Sequence, residues 1–418
     1  MPLLLFSGGK STADHAKLGA QIKYLKIYLS TRNLNESYND FQDISRFVLD
    51  TNLGKFSKTV EGDDFDIGFL RAANIRISLD NGEGRFFYNR GFFENKFIDR
   101  SRIKIVAGFR DIEDPTDENE IVSDVIFEGF IDDRATKIDE RQGVVQIQAL
   151  SYSDIISRIR TDPGAVTNGQ TFKVALFNLL NTREITQFLN VALENINPQI
   201  NNTIDDFEFF VGKQLKSSIN ALLLASNSVL KVQGSDIVIS GRATSNAVRH
   251  SFTGRGGNSP ATIIEIKEYN SGMQRVFTQL TLNETEFEAD NKVIRRYGAS
   301  RKQIDIGFVT NSTTISQIAA NILGEFQTPK AEVEVTTVYM GDEVDLLDII
   351  TINSRGFLTE LDPPRYNTGL LYDGGRRYAG RIGATRIDPR EGWRVLGITH
   401  DFKTFRTTFK LRSAGIVA

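Results

Sequence analysis

The chain has no cysteine, which excludes disulfide frameworks, thiolate zinc sites, iron–sulfur clusters and cysteine nucleophiles together. Histidine is almost as scarce. Its three copies, His15, His250 and His400, stand at separations that match no helical or hairpin metal-ligand spacing, so neither a bound metal nor a Ser-His-Asp grouping is expected. No stretch approaches the ~18 consecutive apolar residues of a membrane-crossing helix, and the apolar start MPLLLF is shorter than the ~7–15-residue core of a secretory signal. A soluble chain without an export signal is expected. Neither sign of charge dominates: 50 Lys and Arg stand against 53 Asp and Glu, a net of −3. Contact with nucleic acid or an anionic membrane would therefore have to be local.

What is present describes an ordinary globular chain. Hydrophobic residues make up 40% of 418 positions and glycine adds 34 more, inside the range of roughly 45–50% apolar that excludes wholesale disorder. The length predicts about three domains. Aromatic usage is lopsided, with 29 Phe, 11 Tyr and the single Trp393. Many of the Phe sit in short segments beside Gly, Asn and Asp, as in a β-rich chain with many turns.

Period-2 alternation recurs along the chain. In 101–110 (SRIKIVAGFR), Ile103, Ile105, Ala107 and Phe109 share one face, with Arg102, Lys104, Gly108 and Arg110 between them. The segments 124–132 and 143–150 follow, joined by the charged connection DRATKIDERQ, and predict one meander. Upstream, 73–84 (ANIRISLDNGEG) predicts a fourth strand closed by an Asn-Gly turn, and 22–29 begins the sheet. Helical spacing is confined to 150–230 and the region near 320. Residues 172–181 and 215–226 read as helices of an α/β insert. In 313–326, Ile315, Ile318, Ala319, Ile322, Leu323 and Phe326 form one helical stripe, expected to pack on the later β unit, with Thr313 or Ser312 as cap and Pro329 beyond the end. Further strands are predicted at 331–340, 345–354, 393–402 and 405–413. In the last, Phe405, Thr407, Phe409 and Leu411 alternate with Arg406, Thr408, Lys410 and Arg412, whose basic face is expected in solvent.

FEGFIDD (127–133) and VLGITHD (395–401) each place Gly between apolar residues and end in Asp. Either a β unit is duplicated or hairpins have converged on a common pattern. The expected fold class is β-rich α+β, with two related β-barrel-like domains and an inserted α/β segment. Its divisions are an N-terminal arm (1–19), a first barrel-like domain (20–160), the insert (161–259) and a second barrel-like domain (260–418) that includes the helix 313–326.

Candidate chemistry is thin. SGGKST (7–12) places glycines, Lys10 and hydroxyls as a phosphate-cradling turn does. However, Leu4 stands where a Walker A loop needs its first glycine, and the Asp of an ATP-pyrophosphatase loop is missing. The hairpins of 20–150 also argue against the βαβ fold of such enzymes. A partner-docking arm is the alternative. FTGRGGNSP (252–260) reads as a loop. LDNGEG (79–84) lacks the spaced carboxylates of a calcium loop and reads as a turn. EDPTDENE (113–120) reads as a solvated acidic loop. The pairs Asp63–Asp64, Asp132–Asp133 and Asp205–Asp206 are adjacent in sequence, so on a strand they would point to opposite faces, and no catalytic site is expected. The long segment 361–381, rich in Pro, Gly, Arg and Tyr, supplies the candidate interface residues Arg365, Tyr366, Arg376, Arg377 and Tyr378, because Arg and Tyr are enriched at protein contacts.

The succession ANIRISLDNGEGRFFYNRGFFENKFIDRSRIKIVAGFRD, DVIFEGFIDD and GVVQIQALSYSDIISRI resembles the N-terminal β domain of tail-hub proteins of tailed bacteriophages. The block 313–353, with its Gly341-Asp342 step, and the end from WRVLGITHDF to FKLRS resemble the second β domain of such hubs. The resemblance spans most of 20–160 and 260–415, and SGGKST has no counterpart in it. It implies a virion structural protein with no cofactor, made in the host cytoplasm. Its partners would be two further copies in a trimer, the tail tube, distal-tail proteins and tip proteins, and DNA would pass transiently through the lumen. Two barrels per chain would match a six-fold tube to a three-fold tip. A hexameric distal-tail adaptor ring, with one barrel per subunit, is the structural alternative. An ATP-using enzyme built on SGGKST is the alternative of a different class. The spike of a contractile secretion machine would need β-helical repeats, which the chain lacks.

Overall fold

A computed structural model describes residues 22–416 apart from 50–54, 60–73, 88–89, 111–120, 140, 163, 188, 195–196, 234–235, 242–246, 255–261, 271–274, 342 and 354–390. The alternation of the first third produces strands β1 (Ile22–Asn33), β2 (Gln42–Asp43), β3 (Lys55–Thr59), β4 (Asn74–Asp80), β5 (Lys96–Arg110), β6 (Ile121–Ile131), β7 (Lys137–Asp139) and β8 (Val144–Ser151). All but β3 form one antiparallel sheet in the order β2-β1-β5-β6-β8-β4, with β7 beside β8. Ile103, Ile105, Ala107 and Phe109 are buried, as their phase requires. Ile44 N–H donates to the Ile27 carbonyl (2.9 Å) and Leu49 N–H to the Ser78 carbonyl (2.9 Å). The segment between β2 and β3 thereby spans from β1 to β4 and curls the sheet into a half-barrel.

The middle of the chain carries helices α1 (Ser153–Arg158), α2 (Phe172–Leu180), α3 (Arg183–Thr186) and α4 (Leu215–Ala225), with strands β9 (Asn190–Glu194), β10 (Ser228–Gln233) and β11 (Asp236–Gly241). These strands form a small mixed sheet in the order β10-β11-β9. Next come β12 (Val248–Thr253), β13 (Ile263–Asn270), β14 (Gln279–Leu282), β15 (Thr285–Glu288), α5 (Asn291–Tyr297), β16 (Arg301–Ile304) and α6 (Ser312–Phe326). The chain ends with β17 (Glu332–Val338), β18 (Ile349–Asn353), β19 (Glu391–Asp401) and β20 (Arg406–Ile416). The second large sheet runs β12-β18-β19-β20-β17-β13, and a three-stranded sheet runs β15-β14-β16. The fold is thus mostly β, with two half-barrel sheets and a helical middle.

One strand changes sides. β3, from the first stretch of the chain, pairs antiparallel with β19 of the second sheet, Phe56 opposite His400 and Ser57 opposite Thr399.

Three local expectations are corrected. The stripe of 313–326 is buried, but it shares a core with Phe172, Leu176 and Leu179 of α2, with Ile219 of α4 and with Leu280 of β14, rather than with the interior of the second large sheet. A helical stripe says only that one face is buried, and here the apolar faces that meet it are those of the middle helices and β14. Its cap is also one residue earlier than expected. Asn311 accepts from the amides of Thr313 (3.0 Å) and Thr314 (3.1 Å), which satisfies two donors that a helix start leaves open. The basic face of β20 has an exception too: Arg412 is buried, with Nη2 2.7 Å from Glu332 Oε1.

The two Gly-containing strands do play parallel parts. β6 and β19 each lie inside a large sheet, and an Asp just after the end of β6 and at the end of β19 closes the following turn. Asp132 accepts from the Arg134 amide (3.3 Å), and Asp401 accepts from the amides of Lys403 (2.9 Å) and Thr404 (3.0 Å).

Candidate functional site

The expected interface residues Arg365, Tyr366, Arg376, Arg377 and Tyr378 lie outside the described residues, as do SGGKST and the acidic segment 113–120. Asp63, Asp64 and 255–260 also lie outside the described residues, and Phe252 and Thr253, expected in a loop, end β12 instead; the remaining motifs are accounted for by local structure. In LDNGEG, Gly82 N–H donates to Asp80 Oδ1 (2.9 Å) and Phe86 N–H to Asn81 Oδ1 (2.8 Å), a turn held by its own side chains. Asp132 pairs with Arg158 (3.0 Å). Asp205 accepts from the amides of Thr310 (2.7 Å) and Asn311 (3.1 Å), which holds its carboxyl below the usual range despite the opposing effect of burial. Asp206 caps a turn through the Glu208 amide (2.9 Å). Among the described residues no three His, Asp or Glu side chains gather where they could hold a metal ion.

The most elaborated constellation joins the two half-barrels. Phe127 of β6 meets Phe56 of β3 edge-on at 5.4 Å, and Phe56 stacks on His400 of β19 at 6.2 Å. His400 faces Tyr339 (5.5 Å), which packs on Phe109 of β5 (5.8 Å) and Phe405 (4.6 Å), and the last two rings touch edge-on at 5.2 Å. Lys23 of β1 closes the seam. Its ammonium lies 5.5 Å from the Phe405 ring centre and donates to the Lys403 carbonyl at 2.9 Å. Ring pairs in these geometries add about 0.5–1.5 kcal/mol each beyond the area that they bury.

Two features show that this seam is built at some cost. His400 is wholly buried, and burial pushes its imidazole down to about 3, with the charge of Lys58 adding to the effect. It is therefore neutral, and Nδ1 lies 3.1 Å from Thr407 Oγ1. Phe405 adopts a left-handed backbone (φ 54°), rare for a bulky side chain, at the turn between β19 and β20. That turn, fixed by Asp401, aims the ring into the seam. Such a site holds two sheets at a set angle. The imidazole and the Thr407 hydroxyl that engages it are both buried within the seam.

A second node stands on the outer face of the first sheet. Arg102 Nε donates to Tyr152 Oη (2.8 Å), and that hydroxyl donates to Glu128 Oε1 (3.0 Å). Burial and the Glu128 charge push the Tyr152 phenol above its ordinary range, so it remains a donor. The guanidinium also lies over Tyr38 (5.2 Å) and Phe41 (5.8 Å), and Lys104 covers Phe41 from 4.4 Å. This node fixes the loop after β1 and the start of the helical middle onto the barrel wall.

No family model matches the chain, and no curated protein matches it in sequence. Solved structures do. A tail protein from Neisseria meningitidis superposes with a TM-score of 0.54 over 94% of this chain and 97% of its own, at 8% identity. Prophage tail protein gp18 from Listeria monocytogenes gives 0.50 over 94% and 95%, at 12% identity. The 43 kDa tail protein of prophage MuSo2 from Shewanella oneidensis gives 0.50 over 93% and 97%, at 11% identity. The chain shares the fold of these tail proteins. The overlap takes in both half-barrels and the helical middle, so the tail-protein fold is matched as a whole arrangement and not as one β unit.

Proposed function

We propose that the chain is a structural protein of a phage tail, and that within the tail it forms the hub that joins the end of the tube to the tip. The observation that carries this reading is the full-length match to three tail proteins, two of them from prophages, each covered to 95% or more of its own length. The seam supports it physically, because a ring that transmits force needs its two barrels held at one angle. In this reading the chain acts as a scaffold and not as an enzyme, and it is found in the virion. It forms a trimer whose two barrels per subunit make six similar units. An arm (1–19), two barrel-like domains (20–160 and 260–418) and an insert (161–259) divide the work, and Arg365, Tyr366, Arg376, Arg377 and Tyr378 contact a neighbouring subunit or tail protein.

Native mass measurement of the purified full chain, alone and with its neighbouring tail proteins, tests the reading. A closed trimer is expected, and Arg376→Ala with Arg377→Ala should weaken it while leaving the subunit folded. A chain that stays monomeric at micromolar concentration with those neighbours present would overturn the hub. Six subunits per ring would favour the adaptor ring instead. ATP binding that is lost in Lys10→Ala would move the protein to the enzyme class.

A further inference from the structure

From Asp290 to Asp305 not one side chain is buried, yet the stretch carries α5 and β16. A seven-residue helix is far below the ~12–15 residues at which helices become marginal in water, so α5 depends on how its ends are held. They are held by Thr278, which is fully buried. Its amide donates to the Ser300 carbonyl (2.9 Å), its hydroxyl donates to the Gly298 carbonyl (2.8 Å) and accepts from the Ser300 amide (3.2 Å), and its carbonyl accepts from Ala289 (2.8 Å). Asp290 caps the helix through the Lys292 amide (2.7 Å), and Gly298 ends it at φ 87°. The result is a short helix presented on a rigid base.

Its surface has one sign. Lys292, Arg295, Arg296, Arg301 and Lys302 fall between Asp290 and Asp305 with no carboxylate among them. Arg301 pairs with Glu286 (2.9 Å) and Arg296 lies over the Tyr297 ring (5.2 Å). Among the described residues, Lys292, Arg295 and Arg296 have no ion-pair partner. Val293, Ile294 and Tyr297 are half-exposed between these cations.

We propose that α5 is a docking element for an acidic protein surface, one that presents carboxylates around an apolar centre. Cations ringing partly exposed Val, Ile and Tyr match the composition of protein contacts, where Arg and Tyr anchor the patch and charge steers the approach. A nucleic-acid backbone fits less well, because a row of phosphates would leave the half-exposed Val293 and Ile294 between the cations with no apolar surface to bury against. The inference does not depend on the tail reading, and its test uses the isolated full chain.

The test measures binding of labelled poly-L-glutamate and of a double-stranded DNA oligonucleotide at low salt. Wild type should prefer the polyglutamate, and Lys292→Glu/Arg295→Glu/Arg296→Glu should weaken its binding by about tenfold or more, as loss of several charge contacts does. The equally charged control Lys137→Glu/Lys173→Glu/Lys410→Glu, at exposed positions elsewhere, should leave it unchanged. Both variants should keep the wild-type circular dichroism, since the three α5 positions bury nothing. Equal losses in the two variants, no loss in either, or tighter binding of DNA than of polyglutamate would each overturn the proposal.

Discussion

His400 lies flat against Phe56, the ring planes 4° apart, although one residue belongs to the last long hairpin and the other to a five-residue strand near the start of the chain. The hydroxyls of Ser57 and Thr399 meet beside them at 2.8 Å, 342 positions apart in sequence. The pair is where the two half-barrels become one body.

This placement makes the seam acid-sensitive. The folded state keeps His400 neutral down to about 3, whereas the unfolded chain takes up a proton near 6.5. The unfolded state therefore binds more protons below 6.5, and stability that is complete above that pH is lost as pH falls toward 3. The loss is about 1.4 kcal/mol per unit, or about 2 kcal/mol between pH 7 and pH 5. Urea midpoints at the two pH values check this, with His400→Gln as comparison. The variant should be less stable at pH 7 and should lose less on acidification. Equal acid losses in both proteins would show that another group governs the limb.

Phe56→Ala should cost about 3–5 kcal/mol, the usual loss for a buried Phe, because its ring bridges Phe127 and His400. Denaturant unfolding measures it. A cost below about 1 kcal/mol would mean that the seam closes without β3.

On α6, Ile318→Asp or Ile322→Asp places a carboxylate in the core formed with α2 and α4. A loss of several kcal/mol is expected, as for other uncompensated buried charges. Thermal melting at wild-type temperature would refute the assigned packing.

Gly129 of β6 has no room for a side chain. A Cβ there would stand 2.1 Å from the Leu150 carbonyl oxygen and 2.7 Å from Phe127 Cζ. Gly129→Ala must therefore push β8 away or move Phe127 out of the seam. A loss of about 1–3 kcal/mol follows from overpacking, and hydrogen exchange should rise first at the β6–β8 pairing.

Much of the fold is legible in residue order. The alternation in 101–110 and 405–412 has a period of 2 over enough residues to fix both strand and face, and the six-residue stripe of α6 has no competing period. What is not legible depends on distant partners. KFSKT has a single large apolar residue, so nothing local marks it as a strand, and its pairing with β19 is decided by a hairpin that begins more than 300 residues later. The packing of α6 is hidden for the same reason, since a stripe says that a face is buried but not against what. Asn311 does not stand out as the cap, because the hydroxyls that follow it are equally good acceptors. NKVIRRY has no apolar stripe, so nothing in it announces α5, whose shape is imposed by Thr278. For the site, His400 has no motif around it, and its meaning lies only in Phe56, Tyr339 and Thr407 gathered about it.

The pairing of β3 with β19 also sets a timetable for synthesis. While the ribosome is still making the middle helices, Phe56 has long since left it and its partner strand does not yet exist. The first half-barrel must wait with an open aromatic flank until the final hairpin emerges, a closure of high contact order and correspondingly slow. Chains cut short before Glu391 cannot complete the seam. A chain that stops before that hairpin is thus left with the flank uncovered, and synthesis as far as β20 becomes a condition of closing the seam.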